Sequence, residues 1–343
     1  MRPTVSDNAT SQRGVAVRFG LKEKSPREEE LMRVTQSIPL SAVELTAAVR
    51  DCQPYDPSRL DRVLRIDEPQ GLIEVQAAAR WREIAARLRP DHPHAARIGR
   101  AMQTVGESLA CNAAGPDGRP AVSHVESLTL VMPNGELTRV GRARQSDLFG
   151  LAIGGQGLFG ALYSVTLHIG SLTRALNEAT EAEVLAAPQA TAARRALRVL
   201  VPPEELAAFL DEAEAHCREW RMPLAGARLR RTRKENETFL RWAQRDYAAV
   251  ALGFGAPSVL GGAVRATQLR RTLLDAAIAR GGSFPLHCTP EATREQAEAC
   301  YPQLPRFLAE KRRVDPGERI TNAWYRHFRR LFGAQRCVVR WSH

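Results

Sequence analysis

Two glycine-bearing loops, with a hairpin between them, constrain this chain more than any other feature. The first loop runs through Thr104-Val105-Gly106 and leads to Asn112 and Gly115; the second runs from Gly154 to Gly160. Between them, Val125 to Val140 alternates around Asn134-Gly135, and Asn-Gly between alternating strands is the strongest short-range hairpin signal. Asp147-Leu148-Phe149 follows, and the second loop feeds an apolar strand, Ala161 to Ile169. Glycines at such places permit close approach of backbone to a ligand or to another segment, because no Cβ intervenes. They are equally consistent with ordinary tight turns in an α+β domain.

Three local motifs point elsewhere and are set aside. Gly155-Gln156-Gly157-Leu158-Phe159-Gly160 matches G-x-G-x-x-G, but a dinucleotide fold needs a helix after that motif and the residues that follow alternate like a strand. Gly106-Glu107-Ser108-Leu109-Ala110 resembles a nucleophile elbow without its final glycine. Arg228 to Lys234 is basic but has no interleaved aromatic residues, which reads as a solvated strand end and gives no nucleic-acid groove.

At 343 residues the chain is long enough for two domains with cores of their own. No apolar run approaches the roughly 20 residues of a membrane helix, and the polar N-terminus lacks a signal-peptide core, so the expected location is cytoplasmic. Six scattered cysteines without a C-x-x-C pair read as reduced thiols, and no metal site is expected. The net charge of +11 comes from arginines spread over many segments. Residues 1–40 read as a weakly structured leader. Ser41 and Glu44 have capping-box spacing ahead of a helical period. Strands are expected at Leu60–Ile66 and Leu72–Ala77 around Pro69-Gln70-Gly71, with a short helix marked by Trp81, Ile84 and Leu88. Past Ile169, helices (Glu204–Trp220, Glu235–Arg245, Val264–Arg280) alternate with strands near Ala225–Arg231, Tyr247–Phe254 and Ser283–Cys288. The expected class is α+β.

In this order and spacing, Gly99 to Ile169 resembles the FAD-binding domain of the vanillyl-alcohol-oxidase, or PCMH-type, family. The closing segments Gly281-Gly282-Ser283-Phe284, Ala292–Pro302 and Phe307–Pro316 extend the resemblance, which is nearest to the branch of decaprenylphosphoryl-ribose oxidase and the aldonolactone and alditol oxidases. The resemblance implies a two-lobed PCMH-type FAD-binding fold with an α+β substrate domain. Its parts would be an FAD domain over residues 41–172, a substrate domain over 173–315, and C-terminal helices over 316–343 that return to the FAD domain. It further implies non-covalent FAD held by Gly99, Arg100, Thr104, Gly106, Ser108, Asn112, Gly115, Gly160 and Ala161. FAD is expected to be non-covalent because two of the three places where the family attaches it are empty: no histidine precedes His92 and Gly99 to Val105 contains no cysteine, while the third, a histidine in the substrate domain, stays open. The implied activity is oxidation of an alcohol carbon in a sugar, polyol or aldonolactone-like small molecule by hydride transfer to flavin.

The chain departs from the family pattern in four places, one of them Ala114, where related proteins often carry a histidine before Gly115. Arg50 to Arg59, where a glycine-rich pyrophosphate loop is expected, contains no glycine, so the chain reads as divergent or truncated at its N-terminus. Glu107 stands where a second glycine is usual, and a carboxylate repels a diphosphate. Pro285, His287 and Cys288 follow Gly281-Gly282 in place of a polar or aromatic cluster, leaving His287 as the one candidate general base. A cofactor-less relative acting as a binding or assembly protein is the alternative function. Finally, Trp324, Tyr325, Phe328, Leu331 and Phe332 share one helical face, with arginines on the rest. Core packing is the first reading of that face, and peripheral contact with anionic membrane on the cytoplasmic side is the second. The oligomeric state is not legible.

Overall fold

The computed structural model describes residues 39–91, 104–179, 183–186, 196–254 and 261–333. The chain is α+β, with antiparallel sheets and helices. It opens with α1 (Ala42–Arg50), where Ser41 and Glu44 form the expected capping box. Leu40, just before it, is buried, so the ordered core begins ahead of the expected residue-40 boundary; the rest of the expected leader, residues 1–38, lies outside the described residues.

A five-stranded sheet follows, in the order β1-β2-β5-β3-β4. Its strands are β1 (Val63–Asp67), β2 (Leu72–Gln76), β3 (Val125–Val131), β4 (Leu137–Gly141) and β5 (Ala161–His168). β1 starts three residues later than expected. Leu60 N–H is drawn into a 3-10 turn over Pro57–Arg59, where it donates to Pro57 O. β3 and β4 are the expected hairpin, closed at Gly135 with φ +86°, a conformation that glycine adopts without steric cost. Helices α2 (Trp81–Leu88), α3 (Val105–Ala110), α4 (Ser146–Ala152) and α5 (Ile169–Asn177) belong to the same half. Ile73, Val75, Leu128, Val140, Val165 and Leu167 make the centre of its core, and Leu172 of α5 joins them. Residue 172, the expected domain boundary, therefore falls inside a helix docked on this sheet.

The second sheet is four-stranded, β6-β8-β9-β7, built from β6 (Glu183–Ala186), β7 (Leu197–Val201), β8 (Leu224–Thr232) and β9 (Tyr247–Phe254). Helices α6 (Leu206–Glu219) and α7 (Gly262–Ala279) lie in this half, with α8 (Arg294–Cys300), α9 (Leu304–Val314) and α10 (Ala323–Gly333) closing the described chain.

Two expected elements of this half are corrected. Glu235–Arg245 is irregular, not helical. The Glu235 carboxylate accepts from the backbone N–H groups of Glu237 and Thr238, and its own N–H donates to Ala243 O. A side chain that binds nearby backbone in this way competes with the helical ladder. Ser283–Cys288 is not a strand. Ser283 bridges Leu200 in both directions, but Pro285 has no N–H to continue the ladder, and Leu286–Cys288 curls into a 3-10 turn.

The large core of the second half extends into the first. Leu151, Leu158 and Phe159 share a cluster with Phe284, Phe307, Tyr325 and Phe328, and the Phe159 and Phe307 rings meet edge to face at 5.2 Å. Asn322 Nδ2 donates to Gln156 O at 2.8 Å, so the segment leading into α10 touches the second glycine loop.

Candidate functional site

The site begins with α3, the short helix that carries Gly106. A helix start leaves four backbone N–H groups without intrahelical partners, and these make it receptive to anions. Here all four are occupied from within the chain. Thr104 N–H donates to Glu107 Oε2 at 2.9 Å, and Glu107 N–H donates to Thr104 Oγ1 at 3.1 Å, a complete capping box. Val105 N–H donates to Ala79 O at 2.9 Å and Gly106 N–H to Ala77 O at 2.7 Å. Gly106 is glycine for a local reason: a Cβ there would sit 2.9 Å from Ala77 O, a backbone atom that has no room to yield.

The second glycine loop closes the other end of α3. Gly154 N–H donates to Leu109 O, and Gln156 gives both its backbone N–H and its Nε2 to Ala110 O. Gly155 is required by contact, since a Cβ would lie 2.0 Å from Leu151 O. The loop follows α4 and leads into strand β5, the reverse of the order a dinucleotide fold needs.

The predicted cofactor residues divide clearly. Gly99 and Arg100 lie outside the described residues. Gly106 and Gly160 come together, lining an apolar cavity of about 60 Å³ with Leu109, Gly157, Phe159 and Leu162 among its walls. That volume suits about two waters. Ser108 is buried, and its Oγ accepts from Trp81 Nε1 at 2.8 Å. Asn112 is fully buried with φ +49°, a left-handed conformation that asparagine tolerates. Its Oδ1 accepts from Val122 N–H, its Nδ2 donates to Glu235 Oε1, and its carbonyl accepts from Trp242 Nε1 at 2.9 Å. Gly115 N–H donates to Arg119 O inside a tight turn, and Ala161 pairs with Val131 in the sheet.

His287 does not line the cavity. Burial, reinforced by the nearby Arg198 guanidinium, pulls its pKa down to about 4, leaving a neutral and weakly basic imidazole at physiological pH. The aromatic face of α10 is taken up inside the molecule. Tyr325 and Phe328 are buried; Trp324, Leu331 and Phe332 pack against the same cluster; and Trp324 Nε1 donates to Leu286 O. Among the described residues no group of three His, Cys, Asp or Glu side chains could hold a metal ion, and no helix is long and apolar enough to cross a membrane.

Sequence reading missed the role of Glu107. Its signal was present: Thr104-x-x-Glu107 has the same capping-box spacing as Ser41-x-x-Glu44. Gln156, which ties α3 to the approach of α10, carries no comparable signature, because its role arises only when segments distant in sequence meet.

Residues 44–141 match the family model of an FAD binding domain. The match begins within α1, takes in α3, and ends with the last residue of β4, ahead of the second glycine loop. No curated protein matches the chain. The domain match supports a PCMH-type FAD-binding fold for this region and indicates FAD as its cofactor.

The start of α3 does not fit the diphosphate of that cofactor. A diphosphate needs free backbone donors at a glycine turn, and the donors of Thr104 to Glu107 are all engaged within the chain.

Proposed function

With an FAD-binding domain at residues 44–141 as the premise, we propose that this chain is a flavin-dependent oxidoreductase acting on the alcohol carbon of a sugar, polyol or aldonolactone-like substrate, with FAD held non-covalently. The domain match carries the flavin assignment. The substrate class rests on the likeness of Gly281 to Pro316 to the closing region of the alditol and aldonolactone oxidases. No catalytic base is assigned: a base works best with a pKa near the operating pH, and His287 at about 4 is far from it.

The test is the visible spectrum of the purified full-length protein. Flavin absorption that passes to the supernatant on acid precipitation, with polyol- or aldonolactone-dependent reduction of an artificial electron acceptor, supports the proposal. Colourless protein that takes up no added FAD overturns it.

One observation favours a second reading, a cofactor-less binding or assembly protein on the same fold. Every donor at the start of α3 has an internal partner, so this part of the fold is complete without a ligand. The same spectrum separates the two readings.

A further inference from the structure

We propose that Glu107 excludes the FAD diphosphate from the N-terminus of α3 and so sets the chain's affinity for adenine-diphosphate ligands. The proposal takes the identity of the ligand from the flavin reading above; the geometry is independent of it.

The four donors at the start of α3 fall into two classes. Val105 and Gly106 give theirs to carbonyls of the Ala77–Ala79 segment, so these two are locked into the packing of α3 against the end of β2. Thr104 and Glu107 give theirs to side-chain oxygens, which unlike the backbone carbonyls are exchangeable for oxygens of a ligand. The oxygen on Thr104 N–H belongs to a carboxylate, and Glu107 is exposed to solvent. An incoming diphosphate would have to displace an anion already seated on the same donor. It would then face that carboxylate at short range, where like charges repel. The carboxylate thus occupies the place of an anionic ligand: it satisfies the donor, complements the positive end of the helix, and makes the local fold independent of any bound phosphate.

Two substitutions separate charge from geometry. Glu107→Gly removes the charge and uncaps Thr104 N–H. Glu107→Gln removes the charge while retaining an oxygen that can cap it. The full-length protein and both variants are titrated with ADP by calorimetry and with FAD by fluorescence, at one fixed salt concentration, with circular dichroism confirming the fold. Glu107→Gly is expected to bind ADP about tenfold more tightly than the wild type, the size expected for freeing a helix-terminal donor and removing one repulsive charge. Glu107→Gln is expected to lie between the two.

If ADP binds Glu107→Gly no more tightly than the wild type, the proposal fails. If the wild type and Glu107→Gly bind FAD equally well, the proposal fails and the flavin reading stands. If ADP tightens on Glu107→Gly while the wild type takes up no FAD, the exclusion stands and the flavin-enzyme reading falls. Should Glu107→Gly not fold, Glu107→Gln decides alone: tighter ADP binding supports the proposal and unchanged binding overturns it.

Discussion

The surroundings of α3 and the closing segment Lys311 to Phe328 both bury polar groups, and they settle them in opposite ways. Around α3 the buried pairs are mostly backbone to backbone: Val105 to Ala79, Gly106 to Ala77, Gly154 to Leu109, Gln156 to Ala110. The carboxylate that caps the helix, on Glu107, sits at the exposed rim. In the closing segment the buried centre is an ion pair. Lys311 and Asp315 are almost wholly shielded from solvent and bond to each other. Burial alone would raise the Asp315 carboxyl, but the Lys311 ammonium and the N–H groups of Ile320 and Arg319 outweigh it and hold the carboxyl below its ordinary range. Burial pulls the Lys311 ammonium down, with Asp315 opposing. Lys311 also lies 6.0 Å from the Tyr325 ring centre, and Tyr325 Oη donates to Glu318 at 2.7 Å. The difference concerns how each region fails. A mesh of neutral pairs gives way a little at a time, whereas an ion pair fails when either partner is lost.

The largest effect is therefore expected from Asp315→Ala. It leaves a buried ammonium without its counter-ion and frees two backbone donors, and breaking such a pair costs about 3–5 kcal/mol. Urea unfolding of the variant against the wild type measures it. Replacing both partners together, Lys311→Met with Asp315→Leu, should recover most of the loss, because the desolvation cost goes with the charges. A cost below about 1 kcal/mol for Asp315→Ala would erase the contrast between the two regions.

The next effect is a dependence on pH. His124 lies beside Ser171 Oγ at 2.7 Å in the first half, and His287 precedes Cys288 in the second. Burial lowers the pKa of both, that of His287 to about 4 from an ordinary 6.5. The folded state therefore takes up these protons later than the unfolded chain does. The stability that each contributes is present above pH 6.5 and is lost as the pH falls, for His287 over the range down to about 4. For His287 alone the loss is on the order of 2–3 kcal/mol. Chemical denaturation at intervals between pH 7.5 and 4.5 should show it, and His287→Phe should flatten part of the slope. A flat profile in the wild type would mean that the ring is solvated and free to charge.

How legible each region is follows from the kind of interaction that builds it. The hairpin at Asn134-Gly135 was legible because its turn needs a residue with positive φ, and Gly135 adopts +86°. The cap at Ser41 was legible because it is a local pattern. The cap at Thr104 is the same pattern, yet the neighbouring glycine drew the reading towards a ligand, and Gly106 proves to face Ala77. Glu235–Arg245 defeated periodicity because one buried carboxylate reorganised the chain around it. Lys311 and Asp315 have helical i, i+4 spacing, but nothing local says that the pair is buried; the Tyr325 ring that lies beside Lys311 comes from a later helix. What each candidate cofactor residue bonds was not legible, since partners lie up to 130 residues away, as between Asn112 and Trp242.

The smallest effect tests the α3 region directly and asks whether Gly106 is there for a ligand or for the fold. A Cβ at this position would stand 2.9 Å from Ala77 O and 3.3 Å from Ala77 Cβ. The contact is with backbone, at the end of the central strand pair, so α3 would have to lift by a few tenths of an ångström. Lifting it stretches the Gly106 N–H to Ala77 O bond and its Val105 to Ala79 neighbour together. Forcing one methyl group into such a contact is expected to cost about 1–2 kcal/mol, and the gain in helix propensity over glycine, up to about 1 kcal/mol, offsets part of it. Gly106→Ala should therefore unfold at lower urea with no ligand present. If the glycine served only to admit a ligand, the variant would be as stable as the wild type, or slightly more so, and would lose only its cofactor. A stability change in the ligand-free protein thus assigns Gly106 to the fold, and an unchanged midpoint with weakened FAD binding assigns it to the ligand.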